Sequence, residues 1–222
     1  MAKFQYTKRT PEQTKARADQ SGSIYDTPVQ SKFSVWTPKA GDVDLRFCPP
    51  TYQNAEHWGL DVWMHSNVGP DKQSYLCKSK MKGAPCCLCD EMALADRKGE
   101  EEYAKALKPY RRVMSWVIYR KEEDKGPQIW MAPWTLDRDI AAVCVDKKSG
   151  EVLYIDDPEA GYDVFFTRKG SKQQTEYIGV QISRRSSPLA DDPKTMQAWL
   201  DFITENPLDE VLRYYDEEHI MA

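Results

Sequence analysis

Two periods organise the apolar residues of this chain. A period of two runs through Val43, Leu45 and Phe47, alternating with Asp44 and Arg46 until Pro49-Pro50 stops it. It predicts a strand, led in by Phe33, Val35, Trp36 and the turn Pro38–Asp42, and it puts Arg46 on the face away from the core. The run Arg112–Lys121 is β-branched and aromatic. As a strand it sets Val113, Ser115, Val117 and Tyr119 against Met114, Trp116, Ile118 and Arg120. After the turn Glu122–Pro127, Gln128–Trp134 returns as its partner. Two short strands, Glu151–Asp156 and Tyr162–Arg168, and a last one, Glu176–Ser183, complete this set. In the last, Ile178, Val180 and Ile182 oppose Tyr177, Gly179, Gln181 and Arg185.

The second period is helical. Leu136, Ile140, Val143 and Cys144 stand at i, i+4, i+7 and i+8, and Met196, Trp199, Leu200 and Ile203 form a stripe after the start signal Asp192-Pro193. Asn206-Pro207 ends that helix, and residues 208–220 predict an acidic one with Leu208, Val211, Leu212 and Tyr215 as its docking face. Asp90–Lys98 is helix-forming and closed by Gly99, with Met92 and Leu94 as satellite core. Glu100–Leu107 continues as a second helix until Pro109.

Five or six short strands with a helix between them predict a mainly β, α+β fold, a partly open barrel of the oligonucleotide-binding type. A mixed α+β fold of another topology is the alternative. The expected organisation is a mobile basic arm over 1–31, a core domain over 32–204 with a subdomain inserted at about 60–99, and an acidic tail over 205–222.

Charge changes this picture by its placement. The formal net charge of −4 over 222 residues excludes a uniformly basic coat. Residues 1–24 carry net +3, residues 108–121 net +5, residues 168–185 net +4 and residues 205–222 net −5. Segregation of this kind predicts a steering surface. The sequence opens without an apolar signal core and no run approaches a membrane span, so a cytoplasmic location and no membrane partner are expected.

The chemistry is concentrated between His65 and Cys89. His65, Cys77, Cys86 and Cys89 are spaced H-x11-C-x8-C-x2-C, four ligands of the type that Zn²⁺ takes in closed structural sites. One structural zinc is expected. Cys87 is the spare thiol, His57 a substitute ligand, and Cys48 and Cys144 are packing residues. A closed shell leaves no position for water, the chain has no phosphate-binding glycine loop and no Ser/His/Asp arrangement, and Asp156-Asp157 and Asp191-Asp192 lie beside prolines in turns. No enzymatic activity is expected.

Basic residues interleave with aromatics at Tyr110-Arg111-Arg112, Trp116, Tyr119-Arg120-Lys121, Trp130, Trp134, Arg168-Lys169, Tyr177 and Arg184. Single-stranded nucleic acid needs cations along its phosphates and flat faces for its unpaired bases, each stack contributing roughly 1–3 kcal/mol. Arg46 and Tyr75 complete the expected interface. The competing reading has the aromatics in the core and the charges merely solvated.

On the spaced His65, Cys77, Cys86 and Cys89, and on the order of basic arm, barrel with metal insert and acidic end, the chain resembles the zinc-containing single-stranded DNA-binding proteins of tailed bacteriophages, the helix-destabilising family. The resemblance implies His65, Cys77, Cys86 and Cys89 as ligands and an electropositive cleft lined by aromatics. It also implies self-association along DNA through the N-terminal arm, and recruitment of replication or recombination proteins by the acidic C-terminus. Lys8-Arg9-Thr10 looks like a shortened form of the family's basic cooperativity motif, without its second flanking lysine. The expected function is to coat single-stranded DNA and destabilise duplex during phage replication, recombination or repair, with little sequence preference. The alternative is a zinc-stabilised adaptor that binds protein or RNA.

Overall fold

The computed structural model describes residues 27–70, 72–171 and 174–221. Lys8, Arg9 and Thr10 lie outside the described residues. The fold is mixed α+β around one mostly antiparallel, open sheet of eight strands: β1 (Val35–Trp36), β2 (Gly41–Phe47), β3 (Leu60–Val68), β4 (Gln73–Leu76), β5 (Tyr110–Tyr119), β6 (Gln128–Pro133), β7 (Val164–Lys169) and β8 (Glu176–Ile182). The helices are α1 (Lys78–Lys82), α2 (Cys87–Lys98), α3 (Glu101–Leu107), α4 (Trp134–Val143), α5 (Pro193–Glu205) and α6 (Glu217–Met221).

The strand order is β1-β6-β5-β2-β7-β8. β5 is its hub. It pairs with β6 from Arg112 to Val117, with β3 from Tyr110 to Met114 and with β2 from Val117 to Tyr119, all antiparallel. β2 continues to β7, and β7 to β8. Only the short β1 runs parallel, beside β6.

The alternation in β5 is real, and both of its faces are buried. On one side Val117 joins Val43, Leu45 and Phe47 of β2, Trp130 of β6, Phe166 of β7, Leu136 and Ile140 of α4 and Cys144 just after it. On the other, Met114, Trp116 and Ile118 pack with Ile129, with Ile203 of α5 and with Leu208 and Val211 beyond it. Each large side chain buried in this way contributes about 1.5–3 kcal/mol. α5 is fixed at its start by Asp192, whose Oδ2 accepts the Thr195 N–H at 2.9 Å, and at its end the Trp116 indole donates to the Asn206 carbonyl at 3.1 Å.

Several expectations change here. Residues 208–220 are not one helix, since only Glu217–Met221 is helical. Leu208, Val211 and Tyr215 are each buried in turn, and Leu212 bridges Val29 antiparallel. The acidic end is therefore seated on the sheet, and Val29, expected within the arm, is core. Glu151–Asp156 makes only an isolated bridge, Val152 to Val145. Leu94 is exposed, because α2 turns Leu88 and Ala95 inward instead.

Arg46 is the largest correction. It is 0% exposed, because the loops around Asp157 and Ser187 fold over its face of β2. Its Nη2 donates to the Asp157 carbonyl at 2.8 Å and the Ser187 carbonyl at 2.6 Å, and Nη1 lies 3.5 Å from Asp163. A Cβ at Gly161 would stand 2.6 Å from that Nη2, so the loop must carry glycine there to close over the guanidinium.

Candidate functional site

Three pieces of chain bring the metal-type ligands together. β3 supplies His65. Cys77 follows β4 and accepts the Lys80 N–H, capping α1, whose end is turned by Gly83 at φ 63°. Cys86 precedes α2 in an extended conformation and Cys89 lies in its first turn, so the C-x2-C spacing opens a helix as expected. The four ligand atoms lie within 4.8 Å of one another. The Cys77 and Cys89 sulfurs are 3.5 Å apart, and His65 Nε2 is 3.6 Å from Cys86 and 3.7 Å from Cys89.

Those separations match a tetrahedral zinc shell, whose edges are roughly 3.5–3.8 Å for Zn–S near 2.3 Å and Zn–N near 2.0 Å. The tautomer fits as well: His65 Nδ1–H donates to the Leu107 carbonyl at 2.6 Å, leaving the Nε2 lone pair turned toward the sulfurs. Burial and the neighbouring Cys77 and Cys86 push the Cys89 thiol up to about 12. At Cys86 burial opposes ionisation, but hydrogen bonds from His65 and the Cys89 backbone outweigh it and bring the thiol down to about 6. Were all three sulfurs ionised, thiolates this close would require a cation among them. Cys87 is half-buried outside the group, and His57 instead pairs with Asp137 at 2.9 Å.

Beside this module lies a groove of about 1150 Å³. Its cations are Lys72, Arg112 and Arg168, its aromatic is Tyr177, and Thr37, Asn67, Pro133, Ser171, Gln174 and Thr175 complete the lining. No carboxylate lines it among the described residues. Asn67 and Lys72 come from the β3–β4 hairpin, Arg112 from β5, Pro133 from the end of β6, and Arg168, Ser171, Gln174, Thr175 and Tyr177 from the β7–β8 hairpin. The Arg112 guanidinium lies 5.1 Å from the Tyr110 ring centre, on the rim, and Lys169 is exposed at the end of β7. Trp134, next to Pro133, is exposed and carries Arg111 and Arg138 at 5.3 and 5.5 Å from its ring centre.

The remaining expected interface residues are elsewhere. Trp116 and Trp130 are 2% exposed and Tyr75 5%, so none offers a face to a base. Tyr75 packs edge-on against Tyr215. Tyr119 packs on Trp36. Arg111 is held by both carboxylate oxygens of Asp61. Arg120 donates to Asp163, Glu123 and the Leu189 carbonyl. Lys121 donates to the Asp42 carbonyl, and Arg184 is exposed beyond β8.

Lys72 and Asn67 were missed by sequence reasoning. Both have positive φ, 54° and 55°. The signal was present in Asn67-Val-Gly69-Pro70, a turn composition that marks a hairpin tip. No family model matches the chain, and no curated protein matches it.

Proposed function

We propose that this protein binds single-stranded DNA in the groove between the two hairpins, with little sequence preference and without catalysis, as the phage helix-destabilising proteins do. The observation that carries the reading is an open groove with three cations, a tyrosine and no acid among its described lining residues. Phosphates neutralise there against Lys72, Arg112 and Arg168, while Tyr177, and Tyr110 and Trp134 at the rim, supply faces for unpaired bases. A ligand that takes only the open strand melts duplex by mass action.

The pairing order supports the same reading. β2, β5 and β6, then a helix, then β7 and β8, with β2 also joined to β7, follow the strand sequence of an oligonucleotide-binding barrel. In such a barrel the ligand crosses the second and third strands between the first and fourth loops, and here those are β5, β6, the metal module and the β7–β8 hairpin. His65, Cys77, Cys86 and Cys89 hold one Zn²⁺ in this reading. The ion supplies a cross-link that ties both strands of the β3–β4 hairpin to α2, and so fixes the wall carrying Asn67 and Lys72.

The test is fluorescence anisotropy of a labelled oligo(dT) against the protein at several salt concentrations, beside duplex DNA and RNA of equal length. Single-strand affinity that falls steeply with salt, with duplex far weaker, supports the reading. Equal duplex binding or none at low salt overturns it, and preference for RNA moves the substrate to RNA.

A further inference from the structure

We propose that the gathered ligands are also the seat of the chain's own C-terminal end, so that binding of Zn²⁺ and docking of residues 215–221 are linked. The inference rests on the zinc of the reading above and does not depend on what the groove binds. It starts from the point where the chain changes core. Leu208, Val211, Leu212 and Tyr214 belong to the cluster of Met114, Trp116 and Ile118. From Tyr215 onward the chain leaves it. Tyr215, 7% exposed, and the partly buried Ile220 pack in a separate cluster with Val68, Tyr75, Cys77, Cys86, Leu88 and Leu107. All three ligand cysteines pack in that cluster, and none of them in either large core.

The floor beneath Tyr215 is built from the ligands and the residues they hold. Tyr75 lies edge-on to Tyr215, 5.4 Å between ring centres, and stands across the β3–β4 pair from His65. Leu88 is buried in α2 between Cys87 and Cys89, and the Leu107 carbonyl accepts the His65 Nδ1–H. β3, β4, α2 and the end of α3 thus contribute to one apolar surface, and the ligands are what joins them. The end that sits there takes its order from packing, because α6 has five residues and a helix so short does not stand by itself. Its His219 stacks on Tyr215 at 4.8 Å between ring centres. The Tyr215 hydroxyl accepts the Thr27 N–H at 3.2 Å and donates to the Thr27 carbonyl at 3.3 Å, so the same seat fixes Thr27. Linkage is reciprocal: where gathering the ligands builds the seat, an end that occupies the seat favours the gathered ligands by the same factor.

Metal analysis of the full chain comes first, since a chain without zinc removes the metal reading and this linkage with it. The zinc-loaded chain and the chain stripped by a chelator are then digested briefly with chymotrypsin, which cuts after accessible aromatic residues. Cutting after Tyr214 or Tyr215 is expected to be roughly tenfold faster in the stripped chain, with β2 and β5 left uncut. The converse is read by competition for zinc with a chelating dye. Tyr215→Ser, and Ile220→Ser should the first fail to fold, is expected to keep one zinc per chain and to bind it about tenfold more weakly. Equal cutting after Tyr214 and Tyr215 in both forms, cutting of the sheet as fast as of the end, or unchanged zinc affinity in Ile220→Ser overturns the linkage and leaves the zinc site standing.

Discussion

Arg111 and Arg112 are neighbours on β5, yet their surroundings differ completely. Arg111 turns to Asp61 and is bound by both its oxygens, whereas Arg112 turns into a groove with no carboxylate among its described residues. The contrast extends across the molecule. Arg46 and Arg120 share Asp163, with Glu123 added at Arg120, and act as internal ties. Arg168 keeps its charge for the groove, where it donates to the Thr175 hydroxyl at 3.4 Å while its Nε makes no hydrogen bond among the described residues. A cation is available to a polyanion only where the fold has placed no acid against it.

The largest disturbance of this contrast removes no cation at all. Cys86→Ser is expected to lower bound zinc from one ion per chain to none by metal analysis, and to lower the melting temperature. Because the β3–β4 wall is then untied, affinity for oligo(dT) is expected to fall as well. Unchanged melting in the metal-free variant would remove the structural role of the ion.

Next in size is Arg46→Ala. It leaves the Asp157 and Ser187 carbonyls without their buried partner while Asp163 keeps Arg120, for an expected loss of about 1–3 kcal/mol per unpaired carbonyl in urea unfolding, with oligonucleotide affinity of the folded protein unchanged. The groove arginines should behave in the reverse sense. Arg112→Ala and Arg168→Ala are each expected to weaken oligo(dT) binding about tenfold and to reduce the salt slope by about one, with stability nearly unchanged. Either variant binding like wild type at low salt would move the interface off the groove.

A smaller effect sharpens the comparison. Asp61→Asn releases Arg111 beside Trp134 and is expected to raise affinity two- to threefold, whereas Arg111→Ala in the wild-type background should change it little.

The smallest is a pH effect at Asp44. Burial, then the nearby Asp163, raises its carboxyl above the usual range. A carboxyl raised on folding stabilises the fold while protonated, and that contribution is lost as pH rises through the raised value. Asp44→Asn is therefore expected to melt higher than wild type at pH 7. The difference should close as pH falls below about 3.9, where the residue is protonated in both states. A constant difference across pH would point to packing in place of charge.

The four-residue cluster was legible because a metal-type site is written in spacing: His65, Cys77, Cys86 and Cys89 converge as the residue types and intervals imply. The main strands and the stripe on α5 were legible because burial of one face writes a period into the sequence. Which face meets solvent was not. Arg46 lies opposite the aliphatics of its own strand, and Trp116 shares its face with Arg120, positions that read as outward in a sheet covered once. Here α5 with residues 208–211 covers one, and the loops at Asp157 and Ser187 cover the other. That second layer comes from chain 75 or more residues away, and local alternation carries no record of it. The partners of Arg111 and Arg120 were hidden for the same reason, since Asp61 and Asp163 stand 50 and 43 residues from them in sequence.

The antiparallel bridge between Val29 and Leu212 also sets how the fold would respond to mechanical force. The Arg213 N–H donates to the Pro28 carbonyl and the Gln30 N–H to the Val211 carbonyl, so the chain enters and leaves this bridge on the same side. Load applied at the two ends would peel these hydrogen bonds one at a time, as in unzipping, with no shearing of the pair as a set. Before it reached them on the C-terminal side, the same load would draw on Tyr215, which is seated in the cluster with Cys77, Cys86 and Leu88. The Cys/His cluster, terminal bridge and sheet are thus arranged in series, and a pull would be felt at Cys77 and Cys86 before it was felt at β5.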